Sequence, residues 1–262
     1  MSFGFSDSLF QGKTIVVTGA GRGIGAAVAA SFLACGARVI VHAGRSLDHA
    51  ETDLLRRVSA TERDRLFLLT ADLSEPGSGT ELAAKIAAEA NGAVHALVNN
   101  AGTMEGRFKA ETVTRDEFDR VVDLNVRSVV ELTTALLDPL KQARGAAIVN
   151  TSSISATVGG SPGSSLYSAS KAFISTWTRA LARELAPDQI RVNAVSPGTI
   201  MTDFHRRYSS EEKLQKTAAA IPLARLGEAD DCAPAYLFLS APELSGYVTG
   251  QIIEVNGGQF MG

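Results

Sequence analysis

The amino-acid sequence predicts a single α/β domain, a doubly wound parallel sheet of about seven strands with helices on both faces. Three observations lead there. Short β-branched runs alternate with alanine-rich stretches of helical character; each run is apolar throughout rather than alternating; and no linker, repeat or low-complexity stretch divides the 262 residues. Strands that are apolar on both faces must be covered on both, and the helices between them supply the cover. Right-handed crossovers then wind the chain to either side of its first strand.

The expected strands are 14–18, 38–41, 65–69, 96–99, 146–150, 190–195 and 252–255. The expected helices are 23–35, 48–60, 79–90, 114–140, 166–186 and 229–240, with Gly36 and Gly92 as stops. One segment breaks the rhythm. Residues 199–222 are polar, follow a Pro-Gly turn and carry Arg206, Arg207, Tyr208 and paired glutamates, which makes them a candidate lid over a substrate site.

Composition excludes several classes of function. The chain is 45% apolar and 20% charged, enough apolar material for one large core. A net charge of -3 provides no basic field for nucleic acid or anionic lipid. The longest apolar runs fall well short of the roughly 20 residues of a bilayer span, and residues 1–13 lack a signal-peptide pattern. A cytoplasmic protein with no nucleic-acid or membrane partner is expected. Cys35 and Cys232 lie far apart and read as buried free thiols. His42, His49, His95 and His205 are scattered without metal-site spacing, so they are expected in the core or at the surface, and no metal is expected.

The first strand runs straight into Thr18-Gly19-Ala20-Gly21-Arg22-Gly23-Ile24-Gly25, which opens a helix. Glycines there allow a sharp turn, let backbone N–H groups approach a pyrophosphate and leave room for helix against strand, as in a Rossmann-type dinucleotide cradle. Gly19, Arg22, Gly23, Ile24 and Gly25 are therefore expected to touch a dinucleotide. An NAD site has an acid about 20 residues on, at the end of the second strand. This chain has His42-Ala43-Gly44-Arg45-Ser46 instead, with no carboxylate before Asp48. Arg45 and Arg22 converging there suit a 2′-phosphate, so NADP(H) is favoured, with NAD(H) the alternative.

Tyr167 and Lys171 stand four apart on an expected helix and so share a face. An ammonium beside a phenol, together with an oxidised nicotinamide, favours the phenolate and tunes a general acid or base towards working pH. Strand ends add polar groups on the same edge: Asn99-Asn100-Ala101-Gly102 and Thr151-Ser152-Ser153, with Asn125 farther along and Ser196-Pro197-Gly198-Thr199 after the sixth strand. Asn99 is expected to tie strands together.

This ordered set resembles the short-chain dehydrogenase/reductase family, over residues 12–258. The resemblance implies that Tyr167 exchanges a proton with the substrate oxygen and that Lys171 lowers its pKa and holds the nicotinamide ribose. It implies that Ser153 hydrogen-bonds the same oxygen and that Asn125 anchors a lysine-bound water of a proton relay. Ser152, Ser153 and Ser155 all lie within reach, and Ser153 is chosen by likeness to the family's strand-end serine. Asp72 and Leu73 are similar to the adenine-contacting pair; Asn100 and Ala101 would line the adenosine ribose; Pro197, Gly198, Ile200 and Thr202 would hold the nicotinamide end. Asn256-Gly257-Gly258 is similar to the family's structural turn after its last strand.

The activity so implied is that of a carbonyl reductase or secondary-alcohol dehydrogenase acting on a small ketone or alcohol, in a homotetramer built on the helices at 114–140 and 166–186. The alternative is a dinucleotide-binding regulator without turnover, which would lack one of the four catalytic residue types; all four are present. Within the enzyme class, 3-oxoacyl-carrier-protein reductases are a candidate likeness beside sugar, polyol and steroid-type dehydrogenases. Arg144 could meet an acidic carrier, whereas Asp188 puts an acid where a basic residue is expected.

Overall fold

A computed structural model describes residues 4–48 and 50–262, apart from the side chains of Glu51 and Thr52. His49 and residues 1–3, part of the N-terminal stretch read above, lie outside the described residues. All seven expected strands form: β1 (Thr14–Val17), β2 (Arg38–His42), β3 (Leu66–Leu69), β4 (Ala96–Asn99), β5 (Ala147–Thr151), β6 (Arg191–Pro197) and β7 (Ile252–Val255). They make one parallel sheet in the order β3-β2-β1-β4-β5-β6-β7. The order runs outward from β1 on one side and from β4 on the other, so a crevice opens at the C-terminal ends of that pair.

The principal helices are α1 (Gly23–Ala34), α2 (Ser78–Ala90), α3 (Arg115–Val122), α4 (Ser128–Ala135), α5 (Ser165–Leu185), α6 (Asp203–Tyr208), α7 (Glu211–Ala220) and α8 (Ala229–Ser240). Val16 pairs in register with Ile40 on one side and Leu97 on the other, and successive side chains point to opposite faces. Ile15 and Val17 therefore enter one core, with Phe32 and Leu33 of α1 and Tyr236 and Leu237 of α8. Val16, Ile40 and Leu97 enter the other, with Ile86 of α2, Leu132 of α4 and Leu181 of α5.

Two expected helices are broken, each for a local reason. Stretch 48–60 becomes a π-helical turn (Ala50–Leu54), a short helix (Leu55–Arg57) and, past extended Val58, a new helix (Ala60–Arg63). Ser59 starts the last one: its hydroxyl accepts the Glu62 N–H, and the Glu62 carboxylate accepts the Ser59 N–H. Stretch 114–140 is interrupted by a π-helical turn, Asp123–Arg127, between α3 and α4, and again at Leu136. Pro139 accounts for the second break, because it has no N–H to give the Ala135 carbonyl and its ring crowds that position.

Asn99 does tie the strands together. Its amide donates to Thr133 Oγ1 of α4 at 3.0 Å and to Asn150 Oδ1 of β5 at 2.9 Å, and the Asn150 amide donates to Thr178 Oγ1 of α5 at 2.9 Å. This buried ladder locks two strands and two helices together just beneath the crevice, where the strand-end residues need a fixed frame. Both cysteines are buried free thiols. Among the described residues no cluster of His, Cys, Asp and Glu could hold a metal ion, and no helix is long and apolar enough to cross a membrane.

Candidate active site

A cleft of about 720 Å3 runs along the C-terminal ends of the strands. Its floor at one end is the glycine turn between β1 and α1. Gly19 and Gly23 have φ of +62° and +60°, and a Cβ on Gly19 would sit 2.7 Å from the Ala101 Cα. Thr18 Oγ1 accepts the N–H groups of Asn100 and Ala101, both at 3.0 Å, while the Asn100 side chain donates to the carbonyls of Thr18 and Gly19. Asn100 and Ala101 thus brace the turn as well as line the cleft.

The four glycines of the turn, Gly19, Gly21, Gly23 and Gly25, and Ile24, Leu73, Pro197, Gly198, Ile200 and Thr202 all line the cleft, as do both arginines. The arginines are each tied to an acid on a different element. Arg22 pairs with Asp203 of α6 at 3.1 Å, and Arg45 Nε pairs with Asp72 at 2.7 Å while its Nη2 donates to Ser74 Oγ. Burial alone would raise the Asp72 carboxyl, but the Ser74 hydroxyl and amide and the Arg45 guanidinium outweigh it and hold it below its ordinary value. Asp72 therefore meets the cleft through Arg45.

Lys171 is buried, and its Nζ donates to the Thr151 carbonyl at 2.9 Å. That residue is held from behind by the fully buried Tyr236 hydroxyl, 2.8 Å from Thr151 Oγ1. Burial pushes the ammonium down to about 8. Tyr167 shares the Lys171 face of α5, with the ammonium 5.8 Å from its ring centroid. Burial pushes the phenol up to about 12, with the Ser153 hydroxyl pulling the other way. Desolvation is the larger effect at the phenol, so the protein's own groups hold Tyr167 above its ordinary value.

The three candidate serines separate in space. Ser152 turns into the fold, 2.6 Å from Ser175 Oγ and bonded to the Lys171 carbonyl. Ser155 donates both its hydroxyl, at 2.9 Å, and its N–H, at 3.2 Å, to Ser153 Oγ. With two donors arriving, the Ser153 proton is left to point at the Tyr167 side. Asn125 is fully buried in the π-helical turn, where its amide donates to the carbonyls of Thr103 and Val121 and its Oδ1 accepts the Thr103 N–H. It lies behind the cleft: a Cβ on Gly102 would be 2.7 Å from Asn125 Oδ1 and 3.1 Å from Lys171 Nζ, so Gly102 is the thin wall between them.

Two contributors escaped the sequence reading, His42 and Asp53, whereas Phe204 and Tyr208 belong to the lid segment expected to shape the pocket. His42, read only as a core or surface histidine, accepts the Gly19 N–H at Nδ1 (3.2 Å) and therefore donates from Nε2 to the Ala71 carbonyl (3.1 Å). Burial lowers its pKa and keeps this neutral form; its place at the end of β2 was the only available signal. Asp53 accepts the Gly23 N–H at 2.8 Å, a contact spanning 30 residues. Phe204 of α6 packs on the Tyr167 ring with centroids 5.5 Å apart and also on Tyr208, while the Tyr208 hydroxyl reaches Thr103 Oγ1 at 3.2 Å.

Residues 19–259 match the family model described as enoyl-(acyl carrier protein) reductase. The chain is 38% identical over 256 residues, 97% of its length and 99% of the relative's, to an uncharacterized short-chain type dehydrogenase/reductase of Sinorhizobium fredii. It is 36% identical over 251 residues, 95% of its length and 97% of the relative's, to a 3alpha-hydroxysteroid dehydrogenase of Mediterraneibacter gnavus. Among solved structures it superposes on the 3-ketoacyl-(acyl-carrier-protein) reductase of Brucella melitensis complexed with NADH, with a TM-score of 0.83, 31% identity and coverage of 96% of this chain and 99% of that one. With whole-chain identity of this order, one continuous parallel sheet and a glycine cradle at its switch point, the chain belongs to the short-chain dehydrogenase/reductase family of oxidoreductases.

Proposed function

We propose that this protein is an NADP(H)-preferring oxidoreductase that interconverts a ketone and a secondary alcohol. The observation that carries the reading is the meeting of Ser153, Tyr167 and Lys171 in the cleft whose far end is the glycine turn. The turn fits a dinucleotide: a Cβ on Gly19 would strike Ala101 and one on Gly21 would strike Ala43, so bare backbone is what these positions can offer a pyrophosphate. When bound, a nicotinamide dinucleotide supplies or accepts the hydride. The NADH complex of the Brucella reductase supports that class of cofactor.

Ser153 and Tyr167 donate hydrogen bonds to one substrate oxygen and hold the carbonyl carbon in place. In reduction, the phenol gives its proton to that oxygen as negative charge develops there. Lys171 orients the nicotinamide ribose and keeps a positive charge beside the phenol as it loses that proton, while Asn125 fixes the wall behind the ammonium and anchors the water that resupplies it. In the reverse direction the tyrosinate takes the alcohol proton. Segment 199–222 acts as the lid, with Phe204 covering Tyr167.

A pH profile follows from these assignments. Reduction needs a protonated phenol, whose value lies near 12, and a charged Lys171, whose value lies near 8. Its rate is expected to be flat below pH 8 and to fall above it, whereas alcohol oxidation, which needs the phenolate, rises with pH. Initial rates in both directions across that range check this; a reduction rate that climbs through pH 8 would exclude Lys171 as the controlling charge.

The preference for NADP(H) rests on the end of β2, where Arg45 stands in place of an acid. Fluorescence titration is expected to show NADPH binding more tightly than NADH, and Arg45→Ala to weaken NADPH about tenfold while leaving NADH unchanged. Equal affinities in the parent protein would overturn the preference and leave the enzyme class standing. Exposed Phe118 on α3, and Phe173 stacked beside Trp177 on α5, support a homotetramer packed through these helices. Light scattering should give four times the chain mass, and Phe173→Glu should lower it.

A further inference from the structure

The outer wall of the cleft is cationic. Arg107, in the loop after β4, Arg207, in the last turn of α6, and Lys213, on α7, all line it. Arg107 Nη1 and Lys213 Nζ lie 2.9 Å and 3.2 Å from the same atom, Ser161 Oγ, so two like charges converge on one neutral hydroxyl. Arg107 Nε and Nη2 donate to the Tyr208 carbonyl and Nη1 also to the Pro162 carbonyl, which uses four of the five guanidinium N–H groups and leaves one on Nη2 for a ligand. Among the described residues no carboxylate stands within ion-pair distance of Arg107, Arg207 or Lys213. Two acids line this part of the cleft, and Asp203 is already held by Arg22 and Arg206, which leaves Glu105.

The arrangement is unusual for surface cations, which ordinarily avoid one another or share an acid. Here neither occurs, and the pair is pinned by Ser161, next to the segment that leads into α5 and Tyr167. The same cleft is lined by the Phe204 ring, packed on Tyr167, and by the apolar side chains of Val158 and Leu214. The local field is felt by His205: burial first, then the charges of Lys213 and Arg107, push its pKa down to about 4, so it adds no further charge.

We propose that the substrate is an oxo acid, or the corresponding hydroxy acid, whose carboxylate is held by Arg107 and Lys213 with Arg207 at the rim, while its carbonyl lies on Ser153 and Tyr167. This deepens the reductase reading and rests on it. A carboxylate bridging the two cations would accept from the guanidinium edge on one side and the ammonium on the other. In reduction the carbonyl carbon takes the hydride and its oxygen takes the Tyr167 proton, so the dinucleotide is oxidised, the ketone becomes an alcohol and the carboxylate is unchanged. Apolar Phe204 and Leu214 would cover the carbon chain between the two ends.

The test compares kcat and KM for a homologous series of linear oxo acids, their methyl esters and 3-oxoacyl-carrier-protein thioesters, with NADPH as reductant. The acids are expected to be used about a hundredfold better in kcat/KM than their esters. Lys213→Glu, at an exposed helix position, should raise KM for the acids at least about tenfold, with kcat little changed and the ester parameters untouched; Lys213→Arg should retain acid preference. Equal use of acid and ester, equal losses on both in Lys213→Glu, or preferred use of the carrier thioester overturns the inference. Reduction of neutral ketones alone overturns it while the reductase reading stands, whereas reduction of no carbonyl compound, with no dinucleotide bound, overturns both.

Discussion

Tyr167→Phe is expected to lower kcat for ketone reduction about a thousandfold while leaving dinucleotide affinity and the melting temperature near those of the parent protein. The ring stays on α5 and keeps its packing against Phe204. Only the hydroxyl is lost, and with it the proton that the substrate oxygen must receive. Ser153 keeps its two donors from Ser155, and its own proton, which loses the phenol oxygen, can turn to water in the open cleft that Ser153 lines, which is why a large kinetic effect should come with a small effect on stability. Cofactor titration, thermal melting and steady-state rates on one preparation separate the two. A phenylalanine enzyme within a few fold of the parent rate would remove Tyr167 from proton transfer, and the reductase assignment would need another acid.

The sheet was legible because each strand is a short, continuous apolar run, a pattern that depends on nearest neighbours along the chain. The same is true of the glycine turn and of Tyr167 and Lys171, whose relation is fixed by a single helical turn. Legibility ended where partners come from afar. Arg22 reads as a phosphate ligand, but Asp203 lies 181 residues away, and nothing local announces that ion pair or the one between Arg45 and Asp72. The two broken helices failed differently: the periodicity was continuous, and Ser59 and Pro139 were the breakers inside it. The choice among Ser152, Ser153 and Ser155 is geometric, since adjacent residues leaving a strand end point in different directions, and only folding shows that one serves another.

Gly25→Val is expected to abolish measurable dinucleotide binding and to destabilise the fold by about 3 kcal/mol, at the upper end for overpacking a filled site. Gly25 lies in the first turn of α1 and is buried against the glycine turn. A Cβ there meets the Gly19 carbonyl, lies 2.5 Å from Asn100 Nδ2 and 2.8 Å from the Ala20 Cα. Two of those neighbours are backbone and cannot swing aside. The third is the side chain that donates to the carbonyls of Thr18 and Gly19, so moving it loosens the brace on the whole turn. Either α1 retreats from β1, which carries its N-terminal N–H groups away from the pyrophosphate position, or the turn unfolds. Both routes end in lost binding, and urea unfolding with NADPH titration distinguishes them: a retreating helix loses affinity with only part of the expected loss of stability, an unfolding turn gives both losses in full. A valine variant that binds NADPH as the parent does would mean that this turn is not where the dinucleotide lies.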